Sequence, residues 1–160
     1  MANLKAYVVY DSKTGNTQRM AERVAQTLEG EGLEVLLHRV EEASVDLLPS
    51  VHALVLGSPV YYGLPSAGIK KFIDDSVKYH GKLTHLVGAA FCSSGGTHTG
   101  SESTLLALIE AMLVHGMVVQ GESGGAHYGA TSVGAPDEKA LAQCDRLAER
   151  VASLVKKLNR

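Results

Sequence analysis

Short apolar runs alternate with helix-spaced apolar residues along this chain, and that alternation leaves few folds open. Residues 4–10, LKAYVVY, form a compact run rich in valine and tyrosine and read as a buried strand. From Thr17 the spacing changes. Met20, Val24 and Leu28 recur every four residues with Ala21 and Ala25 beside them, one face of a helix that Gly30 and Gly32 end. Further strands are expected at residues 33–40 (LEVLLHRV), in VHALVLG ending at Gly57, in THLVGAAF and in the short MVVQ. Between them Ile69, Phe72, Ile73 and Val77 mark one helix. Leu105, Leu108, Ile109 and Met112 mark another, which stops near Gly116. Pro136 and Asp137 open a last helix with Leu141, Leu147, Val151, Leu154 and Leu158 on its inner face. Strand and helix alternating along the chain predict an α/β fold: a doubly wound five-stranded parallel sheet, order 2-1-3-4-5, with helices on both faces and right-handed crossovers. The 160 residues fit one such domain, 1–160, and the 45% apolar content is enough for its core.

In sheets of this kind a ligand binds beyond the carboxyl ends of the strands, where the strand order reverses. Three loops fall at that edge, after the first, third and fourth strands, and all are rich in Gly, Ser, Thr or Tyr. The first is DSKTGNT, residues 11–17. A helix N-terminus there offers unpaired N–H groups and partial positive charge. Ser12, Thr14 and Thr17 add hydroxyls, Asn16 adds an amide, and Gly15 lets the backbone approach a ligand. Lys13 lies within the loop. Neither G-x-x-x-x-G-K-[ST] nor G-x-G-x-x-G is present. A plain helix cap by Thr or Asn is the competing account. Five donors in six residues favour a phosphate cradle built of neutral groups.

DSKTGNT resembles the phosphate loop of the flavodoxins, which bind flavin mononucleotide (FMN). GSPVYYGLPSAGIKKFID, FCSSGGTHTGSEST with the following helix, VHGM and HYGATSVG resemble the WrbA-like branch of these proteins, the FMN-dependent NAD(P)H:quinone oxidoreductases. The resemblance spans nearly the whole chain in order, and it implies a flavodoxin-like fold. It implies that Ser12, Lys13, Thr14, Gly15, Asn16 and Thr17 hold the FMN phosphate. Pro59, Val60, Tyr61, Tyr62 and Gly63 would line the flavin ring, with Tyr62 against it. Ser93, Ser94, Gly95, Gly96 and Thr97 would wrap the ring's polar edge, where N–H donors tune a flavin. Tyr128 would close the site, from this subunit or a neighbouring one. His115, in VHGM, would be the catalytic residue at the nicotinamide and quinone position. The implied reaction passes two electrons as hydride from NAD(P)H through FMN to a quinone in a ping-pong cycle. The alternative is a flavodoxin that carries single electrons between protein partners. A homodimer or tetramer is expected. The branch commonly carries insertions between the second and third strands and near the fifth, and here both connections are short.

The remaining features narrow the classes. A net charge of −2 without a basic run speaks against a nucleic-acid grip. Cys92 and Cys144 have no metal spacing and read as free thiols of a cytoplasmic protein. No apolar run approaches the length of a membrane span, and the N-terminus lacks a signal-peptide pattern. The seven histidines follow no ligand spacing, so no metal is expected.

Overall fold

A computed structural model describes residues 3–160. The strands are β1 (Lys5–Tyr10), β2 (Glu34–Arg39), β3 (Ala53–Tyr61), β4 (Leu64–Pro65), β5 (Val87–Ser94), β6 (Val118–Val119) and β7 (Ala130–Val133). The helices are α1 (Asn16–Gly30), α2 (Ala67–Asp75), α3 (Ser101–Val114) and α4 (Glu138–Leu158). The acidic connector after β2 is wound into two 3-10 turns, Val40–Glu42 and Val45–Ser50, and a third, Ser76–Tyr79, follows α2. The sheet runs β2-β1-β3-β5-β6, and the ladders within it are parallel. β7 also pairs with β5, and β4 folds back antiparallel on β3.

The expected order 2-1-3-4-5 is therefore present, with its fifth position divided. Val118–Val119 pairs with the start of β5 and Ala130–Val133 with its end, while residues 120–129 loop out between them. HYGATSVG, where no strand was expected, thus contains one. ATSV has no apolar run, and glycines bound it; it is extended because β5 offers it a ladder. β3 also runs on past Gly57, where the sequence suggested a loop. Pro59 is tolerated there because β1 has already ended opposite Gly57, leaving β5 as the parallel neighbour.

Alternation along β1 divides the core. Ala6, Val8 and Tyr10 face α1 and α4 with Met20, Val24, Leu28, Leu147 and Val151. Tyr7 and Val9 face α2 and α3 with Leu54, Leu56, Ile69, Phe72, Leu105 and Met112. Burying Met20, Val24 or Leu28 contributes about 1.5–3 kcal/mol each. The inner face of α4 is turned from the one its leucines suggest. Ala140, Cys144, Ala148, Ala152 and Val155 are buried with Leu147 and Val151, whereas Leu141 and Leu154 are half-buried and Leu158 is exposed. Small residues bring the helix close to α1 and the sheet. Cys92 and Cys144 are free and buried, and burial pushes both thiols up to about 12.

Asp145 braces α4 to α1. Its carboxylate accepts from Arg23 Nε and Nη2, both at 2.7 Å, and from Thr27 Oγ1 at 2.6 Å. The Arg23 hydrogen bonds hold its carboxyl below the usual carboxylate value. A depressed native pKa stabilises the fold above the unfolded value and is lost as pH falls through the native one. Asp145→Asn should therefore lower stability by about 1–2 kcal/mol at pH 7. Its deficit against the parent protein should begin to shrink below about pH 4 and vanish in stronger acid. Thermal melts of both proteins between pH 7 and pH 2 measure this; a gap that stays constant with pH would refute it.

Candidate functional site

The carboxyl ends of β1, β3, β5 and β7 form one rim, and four turns meet there. The first joins β1 to α1. Asp11 N–H donates to the Gly57 carbonyl at 3.1 Å, anchoring the turn to β3. Ser12 is buried, and its Oγ accepts from Gly15 N–H at 3.1 Å. That tight turn requires Gly15 at φ 93°, the left-handed region glycine enters without penalty. The helix cap expected as an alternative use for Thr or Asn is not made. Gly15 starts α1 with no side-chain cap, whereas Ser66 caps α2 and Asp137 caps α4. Among the described residues no protein group accepts from the N–H groups of Asn16, Thr17 or Gln18. Three amides without a protein acceptor therefore stand at the positive end of a 15-residue helix.

Thr17 is buried, and its Oγ1 shares a 2.7 Å hydrogen bond with Ser93 Oγ. This bond ties the first loop to the end of β5. Lys13 is exposed, and its ammonium lies 5.3 Å from the centroid of the Tyr61 ring.

The second turn is a two-residue hairpin. Tyr62 at φ 50° and Gly63 at φ 75° join Tyr61 to Leu64, which pair across β3 and β4. The turn leaves the Tyr62 ring fully exposed at the rim. Ser58 Oγ accepts from Ser66 N–H at 2.9 Å and donates to the Pro59 carbonyl at 2.8 Å, fixing the hairpin base.

The third turn follows β5. Ser94 Oγ and Thr99 Oγ1 both donate to the Gly96 carbonyl, at 2.9 and 2.8 Å. His98 takes φ 58° and Gly100 φ 114°. Gly100 packs directly on the hairpin, where a Cβ would come within 2.4 Å of Gly63 Cα. The fourth turn ends β7, and Gly134 N–H donates to the Ser94 carbonyl at 2.8 Å.

Between these turns lies a cleft of about 280 Å³. Lys13, Thr14, Asn16 and Thr17 line it from the first loop; Pro59, Val60 and Tyr61 from β3; Ser93, Ser94 and Gly95 from the third turn. Ser12 and Gly15 shape the first loop from behind. Tyr62, Gly63, Gly96 and Thr97 belong to the turns that bound the mouth rather than to the walls. Gly134 completes the cleft and escaped the sequence reading, as did Gly100. A glycine soon after ATSV was the one available signal.

Two residues lie elsewhere. Tyr128 opens onto a separate cavity of about 400 Å³ on the outer edge of the sheet, with His127, Lys139 and Arg146. It lies before β7, so the strand carries the chain past the cavity to the rim. Although that cavity is larger, none of the rim loops' donors lines it.

His115 sits at the opposite end of the sheet. It follows α3 and precedes Val118, which pairs with Val87 at the start of β5, so the length of β5 separates it from Ser94 by roughly 23 Å. Its Nε2 shares a 2.7 Å hydrogen bond with Ser76 Oγ, and its buried Nδ1 has no partner. Burial, and the nearby His80 ring at 5.9 Å, hold its pKa below the ordinary histidine value. Within one chain it cannot touch a ligand at the rim. Among the described residues no group of three His, Cys, Asp or Glu side chains is placed to hold a metal, and no helix is long and apolar enough to cross a membrane.

A family model for the flavodoxin domain matches residues 7–118. A flavodoxin of Aquifex aeolicus (strain VF5) is 36% identical, the match covering 94% of this chain and 86% of that protein. An NAD(P)H dehydrogenase (quinone) of Archaeoglobus fulgidus is 31% identical over 94% of this chain and 97% of its own length. That alignment spans 185 positions against the 160 residues here, so the relative carries segments this chain lacks. The solved structure of the flavodoxin, WrbA-like protein from Agrobacterium tumefaciens superposes with a TM-score of 0.78 at 26% identity, covering 96% of this chain and 98% of that one.

Proposed function

This chain belongs to the flavodoxin family, and on that premise we propose that it is an FMN-dependent NAD(P)H:quinone oxidoreductase of the WrbA-like branch. The observation that carries the reading is the uncapped start of α1, whose first residues, Asn16 and Thr17, line one cleft with Thr14. The donor set fits the tail of FMN: a phosphate needs several short N–H and O–H donors, and a glycine where backbone must come close. When bound, FMN supplies the two-electron chemistry between NAD(P)H and a quinone, in a ping-pong cycle.

The chain's own residues bind and orient. The first-turn amides with Thr14, Asn16 and Thr17 hold the phosphate. Pro59, Val60 and Tyr61 give a flat ring an apolar wall, and Tyr62 stands at the mouth as a second aromatic surface. The Gly95–Thr97 turn offers N–H groups to its polar edge, beside Ser93 and Ser94 at the end of β5. His115, at the far end of the sheet, takes no step within its own chain. Residues 1–160 work as one domain. Leu64 at the rim and Leu106, Leu113 and Val114 along α3 are exposed, which supports a homodimer or tetramer. Two buried free thiols suit the reducing cytoplasm.

The Aquifex aeolicus relative's name supports a second reading, a flavodoxin that carries electrons between proteins. Turnover separates the two. FMN-loaded protein should consume NADH or NADPH with benzoquinone at about 1 s⁻¹ or faster. Protein that holds FMN yet leaves both nucleotides unconsumed would be the carrier.

A further inference from the structure

The phosphate loop presents mostly neutral donors, yet a phosphate monoester carries nearly two negative charges at neutral pH. A charge stands behind the loop, outside the cleft walls. Arg39 ends β2, directly across the ladder from Tyr10, the last residue of β1. Its guanidinium lies 5.7 Å from the centroid of the Tyr10 ring. Its Nη2 donates to the Ser12 carbonyl, and its Nη1 donates to Gln18 Oε1 at 3.1 Å. Ser12 precedes the left-handed Gly15, and Gln18 lies in the first turn of α1. One planar fork therefore grips the loop on both sides of its turn. Its Nε makes only a 3.8 Å ion pair with the exposed Glu41 carboxylate.

We infer that Arg39 is a positioning residue for the phosphate of the cofactor: its fork locks residues 12–18 in the shape that presents their amides, and it lends them positive charge. The inference rests on the FMN reading above. Both effects act in one direction. The hydrogen bond to the Ser12 carbonyl polarises the Ser12–Lys13 peptide, making its N–H a stronger donor. A guanidinium fixed against the loop also attracts a dianion, and at this partly exposed side chain salt screens that attraction. Lys13 is no substitute, because its exposed ammonium is turned to the Tyr61 ring.

Apoprotein titrated with FMN and, separately, with riboflavin, each followed by flavin fluorescence, isolates the phosphate from the rest of the cofactor. Arg39→Gln should weaken FMN binding by roughly tenfold to a hundredfold while changing riboflavin binding by less than about twofold. Added salt should narrow the FMN difference. Arg39→Lys keeps the charge and loses the fork, so its FMN affinity should fall between; it serves as the test where the Gln variant fails to fold. Equal weakening of both flavins, or no change in either, overturns the inference and leaves Arg39 a brace between β2 and α1. Parent protein that binds neither flavin overturns the FMN reading itself, and this inference with it.

Discussion

Replacing Thr14 and Thr17 together by valine should lower FMN affinity by roughly a thousandfold, with riboflavin affinity reduced far less. Valine keeps the β-branched shape of threonine and replaces only the hydroxyl, with a methyl group. Thr14 is exposed and lines the cleft, so its loss costs the fold little. Thr17 is buried, and its hydroxyl is bonded to Ser93 Oγ. Valine at 17 takes away one proposed phosphate donor and leaves the Ser93 hydroxyl without its partner. A hydrogen bond to a charged group contributes about 1.5–3 kcal/mol, so two of them amount to between about a hundredfold and ten-thousandfold. Titration of the apoprotein with each flavin reads the result. FMN affinity within about fivefold of the parent would show that these hydroxyls do not hold the phosphate and would remove the loop from the site.

The parts of this site that could be read from the sequence are those where one local pattern does the work. Met20, Val24 and Leu28 gave α1 its inner face, and Gly15 marked the tight turn that borders the cleft, because helix periodicity and left-handed glycine are both local. β7 was hidden because ATSV is extended through its ladder to β5, a partner some forty residues away along the chain. The face of α4 was read only in part: Leu147, Val151 and Leu154 meet the core as expected, but close approach to α1 also selects alanines, which carry little signal of their own. His115 is instructive in a different way. A helix that starts at the rim and runs 14 residues carries its end about 21 Å away. The alternation of strand and helix alone therefore implied that a residue at the end of α3 would reach the opposite side of the sheet. Similarity of motif outweighed that count. Arg39 required the strand order, since only the β1–β2 pairing sets it opposite Tyr10.

Gly100→Ala should destabilise the protein and weaken FMN and riboflavin alike, the reverse of the pattern expected at Thr14 and Thr17. Gly100 takes φ 114°, where any side chain is strained. A methyl group there would also stand 2.4 Å from Gly63 Cα and 3.2 Å from its carbonyl carbon, and backbone cannot swing aside as a side chain can. Strain and overlap together should cost about 2–4 kcal/mol. For a chain of this size that lowers the melting temperature by about 5–15 °C. The least costly relief is to push the hairpin outwards. Tyr62 and Gly63 form its two-residue turn, both in the left-handed region, so the turn moves as one piece and takes Tyr61 with it. The cleft then opens between β3 and the Gly95–Thr97 turn while the Thr17–Ser93 bond at its floor remains. Ring contacts weaken and phosphate contacts stay, so the ratio of FMN to riboflavin affinity should be preserved as both constants fall. Parent-like affinity for both flavins despite a lowered melting temperature would mean that the hairpin yields without disturbing the ring, and that the apolar wall does not depend on its contact with Gly100.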